Sequence, residues 1–153
     1  MISTIAVDYR SVYSVDLEYD EGYCYRTRNR GGTEESDLEG IKMGDKFKFS
    51  ENFIRYANNF VAESDREKFL KFIEPENIRV KLSKEIMTGH RYIVIKDGIE
   101  QYEMIRIVDT DLGQARDRTN FISVGFADVD SETCELMEQN RILSKALKNA
   151  QSS

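Results

Sequence analysis

Apolar and polar residues alternate along two early stretches of the chain, and this alternation predicts a β-hairpin. Residues 13–19 place an apolar side chain at every second position, as a half-buried strand does. Asp20-Glu21-Gly22 predicts the turn, and alternation resumes over residues 23–28, with tyrosines on one face and arginines on the other. Before the hairpin, apolar residues at spacings of three and four predict a short helix over residues 2–9.

Helical spacing takes over in the middle of the chain and predicts three helices. Apolar residues from Phe53 to Val61 mark the first helix. Ser64 and Glu67 have the spacing of a capping box, which predicts the start of the second helix. Pro75 suits the first turn of the third helix, and Gly89 predicts its end.

Three more strands and a long helix are predicted beyond Gly89. Residues 91–96 and 99–108 flank Asp97-Gly98, a two-residue turn typical of tight hairpins, and residues 120–127 form the last strand. Both faces of this hairpin carry apolar residues, so we expect both faces of the sheet to be covered. The central helices would cover one face, and the N-terminal helix or another subunit would cover the other. Residues 131–150 then predict a helix.

Composition and charge limit the classes of protein to which the chain can belong. Its 153 residues suit one domain. The net charge of −6 argues against a nucleic-acid partner, because phosphate binding needs a basic surface. No apolar run reaches the roughly 18 residues that a membrane span needs, so we expect no direct membrane insertion. Cys24 and Cys134 have no disulfide-like spacing, which favours a cytoplasmic location.

Candidate binding residues are aromatic or basic. An apolar pocket between helices and sheet could be lined by six aromatic residues, although rings at such spacing commonly form plain core; they are Tyr25, Phe53, Tyr56, Phe60, Tyr92 and Phe126. Arg26, Arg28 and Arg30 could present three guanidinium groups to an anion. Solvated charges on an edge strand are the alternative.

The terminal helix has the spacing of a coiled-coil seam. Leu136 and Leu143 take d positions, and Asn140 and Leu147 take a positions. An asparagine at an a position fixes register and oligomeric state, so we expect a parallel homodimer. The alternative is a surface helix that packs on its own sheet. Asp128 follows the last predicted strand. Two residues later, Asp130 can cap the first N–H groups of the terminal helix.

Three segments resemble the PAS domain, a sensory module of bacterial signalling proteins. SVYSVDLEYDEGYCYR (residues 11–26) resembles its opening strands, YANNFVAESDREKFLKFI (residues 56–73) its helical stretch, and FISVGFADVDSET (residues 121–133) its closing strand with a D-x-[TD] junction at Asp128 and Asp130. The resemblance implies an α+β fold with a five-stranded antiparallel sheet, helices on one face, a short N-terminal helix and a C-terminal signalling helix.

The resemblance also implies a division of the chain and a role. Residues 1–128 would form the sensor, and residues 129–153 a linker and signalling helix. Such a module regulates a covalently linked output domain, most often a GGDEF diguanylate cyclase and otherwise a histidine kinase. Residues GGTEES are not a GGDEF motif, so the chain itself is expected to be non-catalytic. In the family, the first acid of the junction often ties the strand end to the sheet.

No cofactor is identified from the sequence, and an unknown small-molecule ligand stays open. The reactive-cysteine motif of flavin-binding relatives is missing around both cysteines, and one histidine with two separated cysteines does not make a metal site. Two rival functions also stay open: a ligand-free interaction module, and a small pocket enzyme of the ketosteroid-isomerase type. The enzyme needs carboxylates on inward positions. Asp16 and Glu18 lie on the polar side of their strand, and the facing of Glu103 is not assignable from the sequence.

Overall fold

In the described part of the chain, six antiparallel strands form one sheet that carries three helices on one face. The computed structural model describes residues 9–27, 36–110 and 120–152. In chain order the elements are β1 (Tyr9–Asp16), β2 (Glu21–Thr27), β3 (Lys46–Lys48), α1 (Phe49–Phe60), α2 (Glu63–Phe72), α3 (Pro75–Leu82), β4 (Met87–Lys96), β5 (Ile99–Asp109), β6 (Phe121–Asp128) and α4 (Ser131–Ser152). The fold is α+β, with an antiparallel sheet, helices on one face and a C-terminal helix, which confirms the expected fold class.

The sheet has the order β3-β2-β1-β6-β5-β4. All five expected strands are present, but the expected number is wrong by one, because β3 adds an edge strand beside β2. Three residues are too short to show an alternating pattern. A Cβ on Gly22 of β2 would overlap the ring of Phe47 of β3, so this glycine lets the edge strand pack closely.

The first hairpin turns earlier than the pattern predicts. β1 ends at Asp16, and the turn occupies residues 17–20, with Asp20 at a positive φ of 56°. The carboxylate of Asp16 accepts the backbone N–H groups of Glu18 and Tyr19 at 3.0 and 3.3 Å. This side-chain-to-backbone bonding is what makes aspartate a turn former. Asp16 therefore sets the turn that was assigned to residues 20–22.

The three central helices are confirmed, but two of their predicted ends are wrong. Ala62 occupies the N-cap of α2 without a side-chain cap bond, and the Asp65 carboxylate instead accepts the Ile93 N–H at 2.8 Å. The expected capping box is therefore absent, because its acidic turn is used to hold β4. α3 ends at Leu82, and Gly89 lies within β4, paired with Arg106.

The core lies between these helices and the inner face of the sheet. Strand residues such as Tyr13, Ile105 and Phe126 are fully buried against helix residues such as Phe53 and Ile78. The late hairpin turns at Asp97-Gly98, as predicted. Both residues have positive φ, 51° and 76°, which a type I′ turn requires.

The predicted N-terminal helix lies outside the described residues except for Tyr9, which begins β1. Tyr9 was expected in that helix, and the strand assignment corrects this. On the outer face of the sheet, Tyr23 and Phe121 are about two-fifths exposed. Cover for this face by the N-terminal segment or by another subunit stays a prediction.

Candidate functional site

A carboxylate is buried in the middle of the apolar core. Alternation along β5 turns Glu103 inward together with Ile105 and Ile107, and Glu103 is only 1% exposed. Its Oε1 accepts hydrogen bonds from the hydroxyls of Tyr56 and, at 2.8 Å, Tyr92. A buried carboxylate costs several kcal/mol unless it is paired and hydrogen-bonded, so its other oxygen also requires partners.

Two cations pair with the other oxygen of Glu103. The guanidinium of Arg10 bonds Oε2 directly, and the Lys96 ammonium lies 3.3 Å away. Both cations also form ion pairs with Asp37. Its Oδ1 lies 2.9 Å from the Arg10 guanidinium and 3.6 Å from the Lys96 ammonium. We call these six residues, Arg10, Asp37, Tyr56, Tyr92, Lys96 and Glu103, the Glu103 network.

The tyrosines of the network are held in their protonated form. Burial raises the pKa of Tyr56 and Tyr92 well above the ordinary value of tyrosine, and the negative charge of Glu103 raises both further. A phenol that keeps its proton remains a hydrogen-bond donor. Both hydroxyls therefore continue to donate to Glu103 across the physiological pH range.

Arg10 reaches the network because of a β-bulge. Tyr9 pairs with Ala127 and Ser11 pairs with Phe126, so Arg10 is an extra residue on β1. Burial lowers the pKa of Arg10, but the opposing charges of Glu103 and Asp37 outweigh burial and raise it overall. The guanidinium also forms an ion pair with Asp128, at the end of β6. Arg10 thus contacts both the buried carboxylate and the strand end that leads into α4.

The segment that carries Asp37 is fixed to β1. The Asp37 N–H donates to the hydroxyl of Ser11 at 3.1 Å, and the Leu38 N–H donates to the hydroxyl of Tyr13 at 3.2 Å. Asp37 is nearly buried, and within the described residues its Oδ2 has no hydrogen-bond partner. The network therefore joins β1, residues 36–38, α1, β4 and β5.

Stability alone is a weak explanation for such a network. Replacing a buried set of charges by apolar residues of similar volume is often neutral or stabilising, whereas removing one member costs about 3–5 kcal/mol. The charges instead fix the relative positions of the elements that carry them. The arrangement is also a poor general base, because Glu103 already has four polar partners.

The six predicted pocket aromatics fall into two groups. Tyr56 and Phe126 have ring centroids 4.9 Å apart, and Phe53 and Phe126 are 5.6 Å apart. Tyr92 joins the same core through Phe69, and Phe60 lies 5.5 Å from Tyr56. These five rings are brought together, and their role in binding a ligand stays a prediction.

Tyr25 does not belong with the other five aromatics. A second bulge, opposite Val12 and Tyr13 of β1, makes Tyr25 the extra residue of β2 and leaves its ring 65% exposed. The expectation that Tyr25 lines an inner pocket is wrong, because a bulge shifts the alternation by one residue. The bulge also exposes Arg26 on the same strand as Tyr23 and Tyr25, so tyrosines and arginines do not take opposite faces. Arg28 and Arg30 lie outside the described residues, and the anion role of the three arginines stays a prediction.

The two junction acids have different partners. Asp130 caps α4, since its carboxylate accepts the N–H and the hydroxyl of Thr133, both at 2.8 Å. These hydrogen bonds lower the pKa of Asp130. Asp128 pairs with Arg10 of β1. The PAS resemblance implied that the first acid ties the end of the strand to the sheet. The role of Asp128 in signalling stays a prediction.

α4 contacts the rest of the molecule along one side of its first half. The Glu138 carboxylate accepts a hydrogen bond from the Tyr102 hydroxyl. The Arg141 guanidinium lies 3.6 Å from the Glu100 carboxylate. At about 100° per residue, the predicted seam residues point to the opposite side of the helix; they are Leu136, Asn140, Leu143 and Leu147, all exposed. The seam is therefore free to meet a partner helix.

Sequence reasoning missed most of the Glu103 network. An acid on a strand with apolar residues on both faces was the one available signal, but it did not show which way Glu103 points. Arg10 enters through a bulge, and Asp37 comes from a segment with no regular pattern. In the part of the chain that the structure describes, no group of three or more histidine, cysteine or acidic residues could hold a metal ion. None of the described helices is long and apolar enough to span a bilayer.

Comparisons with known proteins give distant structural neighbours, two of which are described below. No family model and no curated protein matches the chain. The PAS domain from Bordetella pertussis BvgS is similar over 90% of this chain and 88% of its own, with 12% identity and a TM-score of 0.41. An RNA-binding light-oxygen-voltage receptor is similar over 89% of this chain, with 10% identity and a TM-score of 0.45, and the match spans 35% of the receptor. These values are too low to carry an inference about ligand, partner or activity.

Proposed function

We propose that the chain is a non-catalytic, cytoplasmic sensory module that regulates a covalently linked output domain through α4. Residues 1–128 act as the sensor, and residues 129–153 act as the signalling helix. We propose a GGDEF diguanylate cyclase as the output domain, with a histidine kinase as the alternative. The single observation that carries this proposal is the double contact of Arg10 with buried Glu103 and with Asp128 at the strand end.

The contact gives a physical route from core to helix. A ligand that displaces the aromatic rings around Tyr56 or Tyr92 would move the hydroxyls that bind Glu103. Arg10 would then shift with Glu103, and its pull on Asp128 would change. Asp128 is two residues before Asp130, which caps α4, so the change reaches the start of the helix directly.

The exposed seam supports an output through a paired helix. Leu136, Leu143 and Leu147 are each more than half exposed, and they lie opposite the side of α4 that contacts β5. We infer that two copies of the chain associate through this seam as a parallel homodimer. A rotation or slide of the paired helices would then alter the relative position of two output domains.

An enzyme of the ketosteroid-isomerase type is the weaker alternative. Glu103 beside Tyr56 and Tyr92 is the kind of constellation that such an enzyme uses. However, Arg10 and Lys96 pair with the carboxylate. Neither of two surface clefts, of about 480 and 440 Å³, is lined by Glu103. A carboxylate without access to a substrate does not act as a general base.

A fusion experiment tests the proposal. The chain is joined at residue 153 to a GGDEF diguanylate cyclase domain, and cyclase activity per folded molecule is measured together with the melting temperature. We expect Asp128→Ala to change the activity about fivefold or more, which is the lower range of typical coupling between sites. The exposed acid Glu67, which pairs with Lys71 at 3.3 Å on α2, supplies the control Glu67→Gln.

The comparison between the two variants decides the outcome. The control should leave activity unchanged, because Glu67 does not contact the Glu103 network. If Asp128→Ala lowers only the melting temperature and leaves cyclase activity equal to that of the control, Arg10 and Asp128 do not transmit a signal and the proposal fails.

A further inference from the structure

A cleft of about 440 Å³ lies along residues 85–91 and extends over the neighbouring strand β5. Gly89 pairs with Arg106, and Arg91 pairs with Met104. Glu103, Ile105 and Ile107 of β5 face the core, so these two pairs lie on the other, outer face of the sheet. The cleft is therefore separate from the Glu103 network and from the predicted aromatic pocket.

Gly89 leaves room beside an arginine. A Cβ at this position would lie 4.0 Å from Nε of Arg106 and 3.4 Å from the carbonyl oxygen of Ile105. With no side chain at residue 89, the space next to the Arg106 guanidinium stays open. The thioethers of Met87 and Met104 also line the cleft and supply apolar walls.

The nitrogen groups of the cleft have unused hydrogen-bonding capacity. Arg106 is partly buried, yet among the described residues it meets no carboxylate, and its guanidinium contacts only the sulfur of Met104 at 3.8 Å. A guanidinium has five N–H donors, so most of those of Arg106 are available to an anionic group. His90 pairs with Ile105, and its ring stacks on Phe72 and Tyr92, so its imidazole lies on the inner face of the sheet and does not face the cleft. The spare donors of Arg106, next to the space at Gly89, are therefore the feature of the cleft that suits an anion.

We propose that this cleft binds a small organic anion, whose carboxylate or phosphate group pairs with Arg91 and Arg106 and whose apolar part lies against Met87 and Met104. A guanidinium presents paired donors that match the oxygens of a carboxylate or a phosphate. Among the described residues, Glu85 is the one acid that lines the cleft, and its charge directs the anionic group toward the arginines. The inference does not depend on the proposed signalling role.

Gly89 and Arg106 pair with each other in the cleft and provide specific probes. Nuclear magnetic resonance signals of the Gly89 amide and of the Arg106 Nε–H group are recorded while inorganic phosphate, acetate or hexanoate is added to the whole chain. Saturable shifts of both signals are expected. The site should be half-saturated at a hexanoate concentration about tenfold lower than that of acetate. Burying two of the extra methylenes of hexanoate accounts for a difference in affinity of about this size. The phosphate and acetate titrations show which headgroup the site prefers.

Matched variants decide whether the arginines bind the anion. Arg106→Gln should weaken the binding at least about tenfold, the effect of losing one charge-assisted hydrogen bond. Arg55→Gln removes the same charge from an exposed position on α1 and should change nothing. Arg91→Gln tests the same claim if Arg106→Gln does not fold. Shifts that never saturate, or equal weakening by Arg55→Gln, would overturn the inference.

Discussion

Glu103 has four polar partners inside the core, and a change at this residue leaves charges behind. Glu103→Gln is expected to lower the free energy of unfolding by about 3 kcal/mol, because Arg10 and Lys96 lose a buried counter-charge. Urea denaturation measures the loss. The surface variant Glu67→Gln should stay within about 0.5 kcal/mol of the wild type. Equal losses in the two variants would show that the buried position of Glu103 does not matter.

The raised pKa of Tyr92 makes the free energy of unfolding depend on pH in the alkaline range. An unfolded tyrosine loses its proton near pH 10, whereas burial and Glu103 raise the pKa of Tyr92 in the folded state. The unfolded chain therefore binds fewer protons above pH 10, and stability falls as the pH rises toward the folded pKa. Below pH 10 this contribution is fully present.

Removing the hydroxyl tests this linkage. Tyr92→Phe should make the decline of the urea midpoint between pH 10 and 11 shallower, by the effect of about one proton. Tyr19→Phe removes a hydroxyl from a ring that is 69% exposed and supplies the matched control. An unaltered slope in Tyr92→Phe would mean that burial and Glu103 do not raise the pKa of Tyr92.

The edge strand β3 depends on close packing at one glycine of β2. Gly22→Ala would push a methyl group into the ring of Phe47, and such overpacking typically costs about 1–3 kcal/mol. Gly89→Ala is the control on another strand, since its added Cβ would make only ordinary contacts. Thermal unfolding of both variants measures the difference. Equal stability of the two variants would show that the ring of Phe47 moves aside without cost.

Elements with a regular pattern could be predicted, and those set by local exceptions could not. Two β-rich runs identified most of β4 and β5, and Asp97-Gly98 placed their turn, because positive φ is cheap at these two residues. The bulges at Arg10 and Tyr25 shift a strand by one residue, and no residue pattern announces them. For this reason the sheet could be predicted from the sequence. The direction of the Tyr25 side chain and the contact between Arg10 and Glu103 could not.

Packing between distant segments accounts for the other differences. Ser64 and Glu67 had the spacing of a capping box, but Ala62 occupies the N-cap, and the carboxylate of Asp65 in this turn accepts the Ile93 N–H of β4. Arg66, in the same turn, donates to the carbonyls of Ala57 and Val61 at 3.2 and 3.0 Å and so closes the end of α1. A local signal was replaced here by tertiary contacts, which a single sequence does not contain.

The molecule as a whole has a packed body and a helix that leaves it. From residue 139 to residue 151 every side chain of α4 is exposed. A helix without a packed face is marginal in water, because burial of an apolar stripe supplies most helical stability. We therefore expect the second half of α4 to pair in the proposed homodimer, and its seam is the surface that a second copy would cover.

Light scattering of two variants tests this last step. If the seam pairs two copies, the wild type has twice the 17.8 kDa mass of one chain, and Leu143→Glu shifts it toward the single mass because two facing glutamates repel. Ile142→Glu makes the same change at a neighbouring residue that is equally exposed but lies about 100° away around the helix. Ile142→Glu should remain a dimer. A single-chain mass for the wild type, or an equal loss of mass in both variants, would place the contact elsewhere and leave the leucines of α4 without their proposed role.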